Sequence, residues 1–443
     1  MGNNSETADI TLQKAVVLLQ KCKDMGLDYS DAKFCFNLAV KEYASERYQS
    51  AEDLFGEATG LMLNDIKARR LDIGCYRIRK ACATPSVMLG DGVRLWPLFN
   101  GGSIGGIITP EMQSPCEYTG LIGEIQVEGG YATQPCRHNT ETFYYILQGE
   151  GVMSLEGREM NVRTGDWVFI PNNWLHSIRP LSTQCPIRVF TAISYADRRT
   201  SALLPVGTDP LSLIKPATPY GGSAAEAMKA LVAKTHEVAS VRISADIGGS
   251  LYREADFYIE VAKTCFGKND LGVQKYAGLA IDIVQRVIED TKRWEAYKSD
   301  ITKLKANIAT FTGEWLHEAT SIDWFIYADE NYMKPEWNRP VTLYTQLLVE
   351  WETPAGKSFM PHTHNTEEIY YQMASVCGMK IGPVGTNKLT GDEKEFFLYP
   401  GDALFIPPNT KHVARSVSSD YPLHAIAVGS YTDEVVTGEA AVY

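Results

Sequence analysis

The stretch from Pro361 to Tyr371, PHTHNTEEIYY, places two histidines one residue apart and a glutamate four residues after the second. The stretch from 136 to 145, CRHNTETFYY, shares its HNTE core. It has Cys136 and Thr142 where the later stretch has a histidine and a glutamate. Only 8 histidines occur among 443 residues, so two of them in one short motif indicate a functional site.

The two stretches belong to an internal repeat of about 220 residues. His138 matches His364 at an offset of 226 residues, and His176 matches His412 at an offset of 236. The ten extra residues of the second copy fall in IGPVGTNKLTGDEK, which predicts a longer hairpin loop. A repeat of this length predicts two units with the same fold.

Each repeat begins with a helical pattern and continues with a strand pattern. Segments such as LQKAVVLLQKCKDMG carry apolar residues at helical spacing, whereas GLIGEIQVEGG and FYYILQGEGVMSLEG are short runs typical of strands. The order predicts an α+β protein. We expect a helical module at residues 1–88, a strand-rich unit at 89–200, a linker at 201–224, a second helical module at 225–315 and a second strand-rich unit at 316–443.

Composition narrows the classes of function. The net charge of −12 argues against nucleic acid or an anionic membrane as the main partner. The sequence contains no run of 18 apolar residues, so we expect no membrane span, and the first residues show no pattern of a secretory signal. The 9 cysteines never have CxxC spacing, which is typical of reduced thiols, so we expect a cytoplasmic protein.

The second copy of the motif has the ligand types of a metal site. His362, His364, Glu368 and Tyr370 have the same parity, so they share one face of an extended strand. His412 follows in a later hairpin, which a closed barrel would bring beside them. Three imidazoles and one carboxylate suit Fe, Mn, Ni, Cu or Zn.

The spacing of these residues resembles the two sequence motifs of the cupin superfamily, read here as Gly356-x5-His362-x-His364-x3-Glu368 and Gly401-x5-Pro407-x4-His412. The first half carries the same scaffold, so the resemblance implies a bicupin. It implies two tandem units, each a helical module followed by a cupin barrel, which is a double-stranded β-helix or jelly roll. One turn position that is glycine in the motif is Ser375 here.

The first copy lacks part of the ligand set. His138 and His176 remain, but Thr142 replaces the carboxylate, and the parity of Glu141 points it away from the histidines. Gln134 shares parity with His138 and, like Cys136, is a candidate additional ligand. Two interpretations stay open: a weaker metal site, or a vestigial barrel kept for packing.

A helical module before each of two barrels also resembles hydroxyethylphosphonate dioxygenase and methylphosphonate synthase. That resemblance implies Fe(II), O2 and a small polar or anionic substrate such as a hydroxyalkylphosphonate, with His364, Glu368 and His412 as the iron-binding triad. The asparagine expected three residues before the iron histidine is Pro135 in one half and Pro361 in the other. The alternatives are a non-redox isomerase, lyase or decarboxylase with Mn, Ni or Zn, and a non-catalytic binding or storage bicupin.

The motif register also predicts residues around the metal. Tyr370 and Tyr344 are the candidate catalytic residues, and the candidate substrate-binding residues are Tyr344, Ser430, Ser194 and Tyr118. We expect His424 to be a core residue, and His236 and His317 to lie on the surface. A homo-oligomer is also compatible with the sequence.

Overall fold

The computed structural model describes residues 4–24, 27–73, 78–80, 84–100, 116, 119–138, 140–194, 210–238, 251–329, 332–343, 345–364, 366–384 and 386–430. The described helices of the first repeat are α1 (Asn4–Asp24), α2 (Ser30–Ala44) and α3 (Tyr48–Ile73). Those of the second are α4 (Ala224–Glu237), α5 (Leu251–Cys265) and α6 (Asp270–Arg293). None of these helices is both long and apolar enough to cross a membrane.

Strands follow the helices in each repeat. The first repeat holds β1 (Ile78–Lys80), β2 (Val87–Gly90), β3 (Val93–Asn100), β4 (Thr119–Val127), β5 (Thr142–Gln148), β6 (Glu150–Leu155), β7 (Arg158–Arg163), β8 (Trp167–Ile170), β9 (His176–Pro180) and β10 (Ile187–Ser194). The second holds β11 (Lys305–Ala306), β12 (Glu314–Leu316), β13 (Ser321–Ala328), β14 (Thr345–Thr353), β15 (Glu367–Ala374), β16 (Cys377–Ile381), β17 (Phe396–Leu398), β18 (Asp402–Ile406), β19 (His412–Ser416) and β20 (Leu423–Ser430).

Each barrel pairs a large sheet with a small one. In the first barrel the sheets have the orders β11-β8-β5-β10-β4-β3-β2 and β7-β6-β9. In the second they have the orders β1-β18-β15-β20-β14-β13-β12 and β17-β16-β19. The prediction of an α+β fold with two tandem units is confirmed.

The two barrels exchange edge strands. β1 precedes the first barrel in sequence but pairs with β18 of the second, with Ile78 opposite Leu404. β11 precedes the second barrel but pairs with β8 of the first, with Lys305 opposite Val168. Both strands fall within ranges expected to be helical modules, and each covers an otherwise open sheet edge.

Large sheets of the two barrels pack against each other, so their strands are buried on both faces. Phe99 of one barrel lies 6.0 Å from Phe405 of the other, measured between ring centroids. Two buried carboxylates at matching repeat positions bridge the contact. Glu124 accepts a hydrogen bond from Tyr371 at 2.7 Å, and Glu350 accepts one from Trp167 at 2.5 Å.

The two helical modules form one apolar cluster rather than separate bodies. At its centre the Asp9 carboxylate on α1 is fully buried. It accepts hydrogen bonds from Tyr43 on α2 and from Lys275 and Tyr276 on α6. A buried charge needs such partners, because an unpaired one would cost several kcal/mol.

Ser375 occupies the turn where the cupin motif has a glycine. Its φ of 63° lies in the left-handed region, as does that of Gly149 (93°) at the matching turn of the first barrel. Glycine adopts this region without steric cost, whereas serine does not. The departure in sequence therefore leaves the turn conformation unchanged.

Candidate metal centres

Two elements build the centre of the second barrel. Glu368 and Tyr370 lie on β15, where alternate side chains point into the barrel. His412 begins β19, and its backbone exchanges hydrogen bonds with that of His362 at 3.0 and 2.9 Å. This pairing fixes the two histidines opposite each other, with ring centroids 4.4 Å apart.

The four predicted ligands of this barrel converge. Ligand atoms of His362, His364, Glu368 and His412 all lie within 4.8 Å of one another. Glu368 Oε2 is 3.1 Å from His364 Nε2 and 3.4 Å from His412 Nε2. This buried oxygen faces the two imidazoles but accepts no hydrogen bond of normal geometry. Ligands about 2.1 Å from a six-coordinate ion are about 3 Å apart, so the donor set fits a divalent cation.

Backbone carbonyls orient the histidines. His362 Nδ1 lies 3.0 Å from Met360 O, and His412 Nδ1 lies 2.9 Å from Thr410 O. An Nδ1–H that donates to a carbonyl leaves the lone pair on Nε2, which is the nitrogen that faces the centre.

The charges of the centre suit a cation. Burial alone would raise the pKa of Glu368, but the neighbouring His364 and His412 outweigh it and hold that pKa well below its usual range. Burial lowers the pKa of His362 well below its usual value, and His412 and His364 add to the effect. The carboxylate is therefore ionised, and His362 is neutral at physiological pH.

The centre forms one wall of a cavity with an empty volume of about 400 Å³, which includes its open mouth. Phe325, Leu347, Val349, Trp351, Phe359 and Ala427 supply the apolar part of the lining. Ser321 and Asp323 on β13 supply polar groups. Ser321 donates a hydrogen bond of 2.7 Å to Asp323, and burial raises the pKa of Asp323 to about 7.

Sequence reasoning missed Asp323. Its signal is a charged residue in the otherwise apolar strand SIDWFIYA, where it shares parity with Ser321 and Phe325. These three side chains therefore face the same cavity. Strand parity predicts the face on which Asp323 lies. It does not predict that this face meets the histidine motif, because the two segments are far apart in sequence.

His317 is not the surface residue that the sequence predicted. Its ring stacks on Phe359 at a centroid distance of 5.1 Å and lies 4.6 Å from the ring of His362. The turn between β12 and β13 places it there, with positive φ values at His317, Glu318 and Ala319. The surface prediction for His236 agrees with its exposed position, and the half-buried His424 pairs with Glu350 at 2.9 Å.

The predicted pocket residues are distributed differently from expectation. Tyr370 lines the cavity, and its Oη lies 3.1 Å from His412 Nε2. Ser430 and Ser194 instead contact the opposite barrel, through Thr119 at 2.7 Å and Thr345 at 2.5 Å. Both serines end their strands beside a register shift, which redirects side chains. Tyr344 and Tyr118 lie outside the described residues.

The first barrel brings the candidate additional ligand Cys136 together with the two histidines, His138 and His176. Cys136 Sγ lies 3.7 Å from His138 Nε2 and 3.5 Å from His176 Nε2. Thr142 Oγ1 lies 2.7 Å from His138 Nδ1, on the side of the ring away from this cluster. Burial raises the pKa of the Cys136 thiol to about 11 and lowers that of His176 to about 4.

Two other first-barrel candidates lie elsewhere. Glu141 accepts a hydrogen bond of 2.6 Å from the backbone N–H of Leu343 in the second repeat. Glu141 is buried between the repeats. It points away from His138, which is the direction that strand parity predicted. Gln134 is exposed.

The sequence was compared with models of protein families and with curated proteins. A model of the cupin domain matches residues 123–193. "Uncharacterized protein MJ1618" of Methanocaldococcus jannaschii is 33% identical over 88 residues, which cover 19% of this chain and 70% of that protein.

Two solved structures are similar at low identity. Bacillus subtilis oxalate decarboxylase has a TM-score of 0.42 and 14% identity, over 80% of this chain and 76% of that chain. The Lactobacillus farciminis oxalate decarboxylase formate complex has a TM-score of 0.41 and 13% identity, over 80% and 86%. Likeness at this level carries no conclusion about activity. The matches give no support to the phosphonate resemblance, which stays a prediction together with iron and O2.

Proposed function

We propose that this chain, which belongs to the cupin superfamily, is a metal-dependent enzyme with its working centre in the second barrel. The observation that supports this most directly is the convergence of the buried Glu368 Oε2 with the histidine ligand atoms on the wall of a cavity. Four protein ligands would leave two positions open on a six-coordinate cation. The cation would act as a Lewis acid that polarises a substrate oxygen.

Two side chains of the cavity can handle a proton. Asp323 has a pKa raised to about 7 by burial, so it can hold or release a proton near neutral pH. The Tyr370 hydroxyl, beside His412, can orient a substrate oxygen near the metal position. We propose that Asp323 transfers the proton and that Tyr370 positions the substrate.

The lining favours a small substrate with limited charge. The described residues of the cavity wall include six apolar side chains and no lysine or arginine. Among these described residues, none offers a lysine or arginine to balance the charge of an anionic substrate, so the metal would supply most of that balance. A hydroxyalkylphosphonate dianion is therefore disfavoured, and a carbonyl compound or monocarboxylate is favoured.

These features favour a proton-transfer reaction, as in an isomerase, lyase or decarboxylase that uses Mn, Ni or Zn. The second candidate is an Fe(II) oxygenase that uses O2. It is supported by the half-buried position of His362, whereas His364, Glu368 and His412 are buried. Detachment of His362 would leave a two-histidine, one-carboxylate face of the kind that non-haem iron oxygenases use.

One experiment separates these candidates. The metal content of protein purified without added metal is measured, and turnover of small monocarboxylates, hydroxy acids and hydroxyalkylphosphonates is followed with and without O2. Metal-dependent product formation without O2 supports proton transfer. O2 uptake coupled to substrate loss supports the oxygenase. Metal binding without turnover of any compound contradicts the enzyme proposal and favours a storage or binding protein.

A further inference from the structure

The first barrel has a sulfur ligand where the second has an imidazole. Cys136 occupies the repeat position of His362, and the backbones of Cys136 and His176 exchange hydrogen bonds at 3.1 and 2.9 Å. The same backbone pairing joins His362 to His412 in the second barrel. The thiol is therefore held at a ligand position by the fold itself.

Distances within this cluster fit a tetrahedral ion. With metal–sulfur bonds of about 2.3 Å and metal–nitrogen bonds of about 2.0 Å, sulfur and nitrogen ligands are about 3.5 Å apart. Cys136 Sγ lies 3.7 and 3.5 Å from the Nε2 atoms of His138 and His176. The imidazole rings are nearly perpendicular, at 81°.

Both histidines are already oriented for binding. His176 Nδ1 lies 3.1 Å from Trp174 O, and His138 Nδ1 lies 2.7 Å from Thr142 Oγ1. Each contact directs Nε2 toward the sulfur. Thr142 is therefore a positioning residue for His138 and not a degraded ligand.

We infer that Cys136, His138 and His176 form a second metal site that takes a thiophilic d10 cation, Zn(II) or Cu(I), with the Cys136 thiolate as its anionic ligand. On binding, the thiol loses its proton to solvent and the sulfur–metal bond forms. Thiolate selects Zn and Cu(I), whereas carboxylate and imidazole in the second barrel accept harder cations such as Mn(II). The three ligands leave a fourth tetrahedral position open.

Cobalt(II) tests this site in the full-length chain, because a cobalt–thiolate bond gives a near-ultraviolet charge-transfer band. The stripped protein should show the band. Cys136→Ser should abolish it, whereas Cys185→Ser, which changes an exposed cysteine, should retain it. A His364→Ala/His412→Ala variant should also retain it, because that variant changes only the second barrel. Persistence of the band in Cys136→Ser would overturn the proposal.

Two further measurements do not depend on the folding of the Cys136→Ser variant: competition between metals for the parent protein, and X-ray absorption of bound zinc. One equivalent of Zn(II), or separately of Cu(I), should remove the cobalt band, and Mn(II) should not. Thr142→Val should lower Zn(II) affinity by about tenfold. In the variant without second-barrel ligands, bound zinc should show one sulfur neighbour at about 2.3 Å. Zinc with only nitrogen and oxygen neighbours would refute the site, whatever the activity of the second barrel.

Discussion

Thr142 Oγ1 lies 2.7 Å from His138 Nδ1, so the residue that replaces the glutamate of the second barrel contacts the rear of a histidine ring. At the matching position, Glu368 Oε2 lies 3.1 Å from His364 Nε2, the face where a cation would bind. One substitution thus converts a ligand into a group that orients a ligand. The two barrels keep the same backbone frame but offer different donor atoms.

Restoring the ligand set of the second barrel in the first should change metal preference. Cys136→His combined with Thr142→Glu recreates three histidines and one carboxylate in that frame. We expect the double variant to gain a Mn(II) site of stoichiometry close to one, because it then has no sulfur and has a hard anionic ligand. Equilibrium dialysis with Mn(II), in a chain without His364 and His412, measures the gain. No gain in Mn(II) would show that the frames are not equivalent.

Removal of the Tyr370 hydroxyl should impair turnover without removing metal. Tyr370→Phe keeps the ring in the cavity and should lower kcat by about 10- to 100-fold, since the hydroxyl lies beside the metal position. Metal content and kcat are measured on the same preparation. Tyr421→Phe, at a residue that is 71% exposed, is the matched control. Equal activity in both variants would show that the Tyr370 hydroxyl takes no part in turnover.

Asp323 should make stability depend on pH. Its pKa is raised to about 7 in the folded protein, so the unfolded chain releases the proton first. Asp323 therefore lowers the free energy of unfolding as pH rises from about 4 to about 7. In the metal-free protein, the free energy of unfolding of Asp323→Asn minus that of the parent should rise by about 1–3 kcal/mol between pH 4 and pH 8. Urea unfolding measures this, with exposed Asp282→Asn as control, and a pH-independent difference would contradict it.

The buried carboxylate of the helical cluster should contribute more to stability than surface ion pairs. Asp9→Ala leaves Lys275 buried without its partner and should cost about 3–5 kcal/mol. Glu260→Ala breaks the more exposed pair with Lys33 and should cost about 0–1 kcal/mol. Chemical denaturation compares the two. Similar small losses would mean that the Asp9 network adds little.

Local patterns in the sequence were enough to predict the repeat and the convergence of Glu368 with the histidines, because strand parity and motif spacing are local properties. The exchange of β1 and β11 was not predictable, since pairing between residues as far apart in sequence as Ile78 and Leu404, or Val168 and Lys305, leaves no periodic signal. The contact of Ser430 with Thr119 of the other barrel was not predictable either, because a register shift at a strand end changes side-chain direction.

The first-barrel cluster shows the same limit. Strand parity predicted that Cys136 lies on the same face as His138. That its sulfur also lies within ligand distance of His176 could be learned only from the folded structure. Asp323 reaches the cavity from a strand about 40 residues before the histidine motif, so its role depends on tertiary contact.

Metal stoichiometry tests the central claim, that the second barrel holds the working cation. The protein is purified without added metal, and the parent is compared with His364→Ala/His412→Ala and with His236→Ala, which changes an exposed histidine. Elemental analysis and activity are measured on each preparation. We predict that the double variant loses one equivalent of metal and all turnover, with retained secondary structure, while the control keeps both. Unchanged metal content and turnover in the double variant would contradict the account.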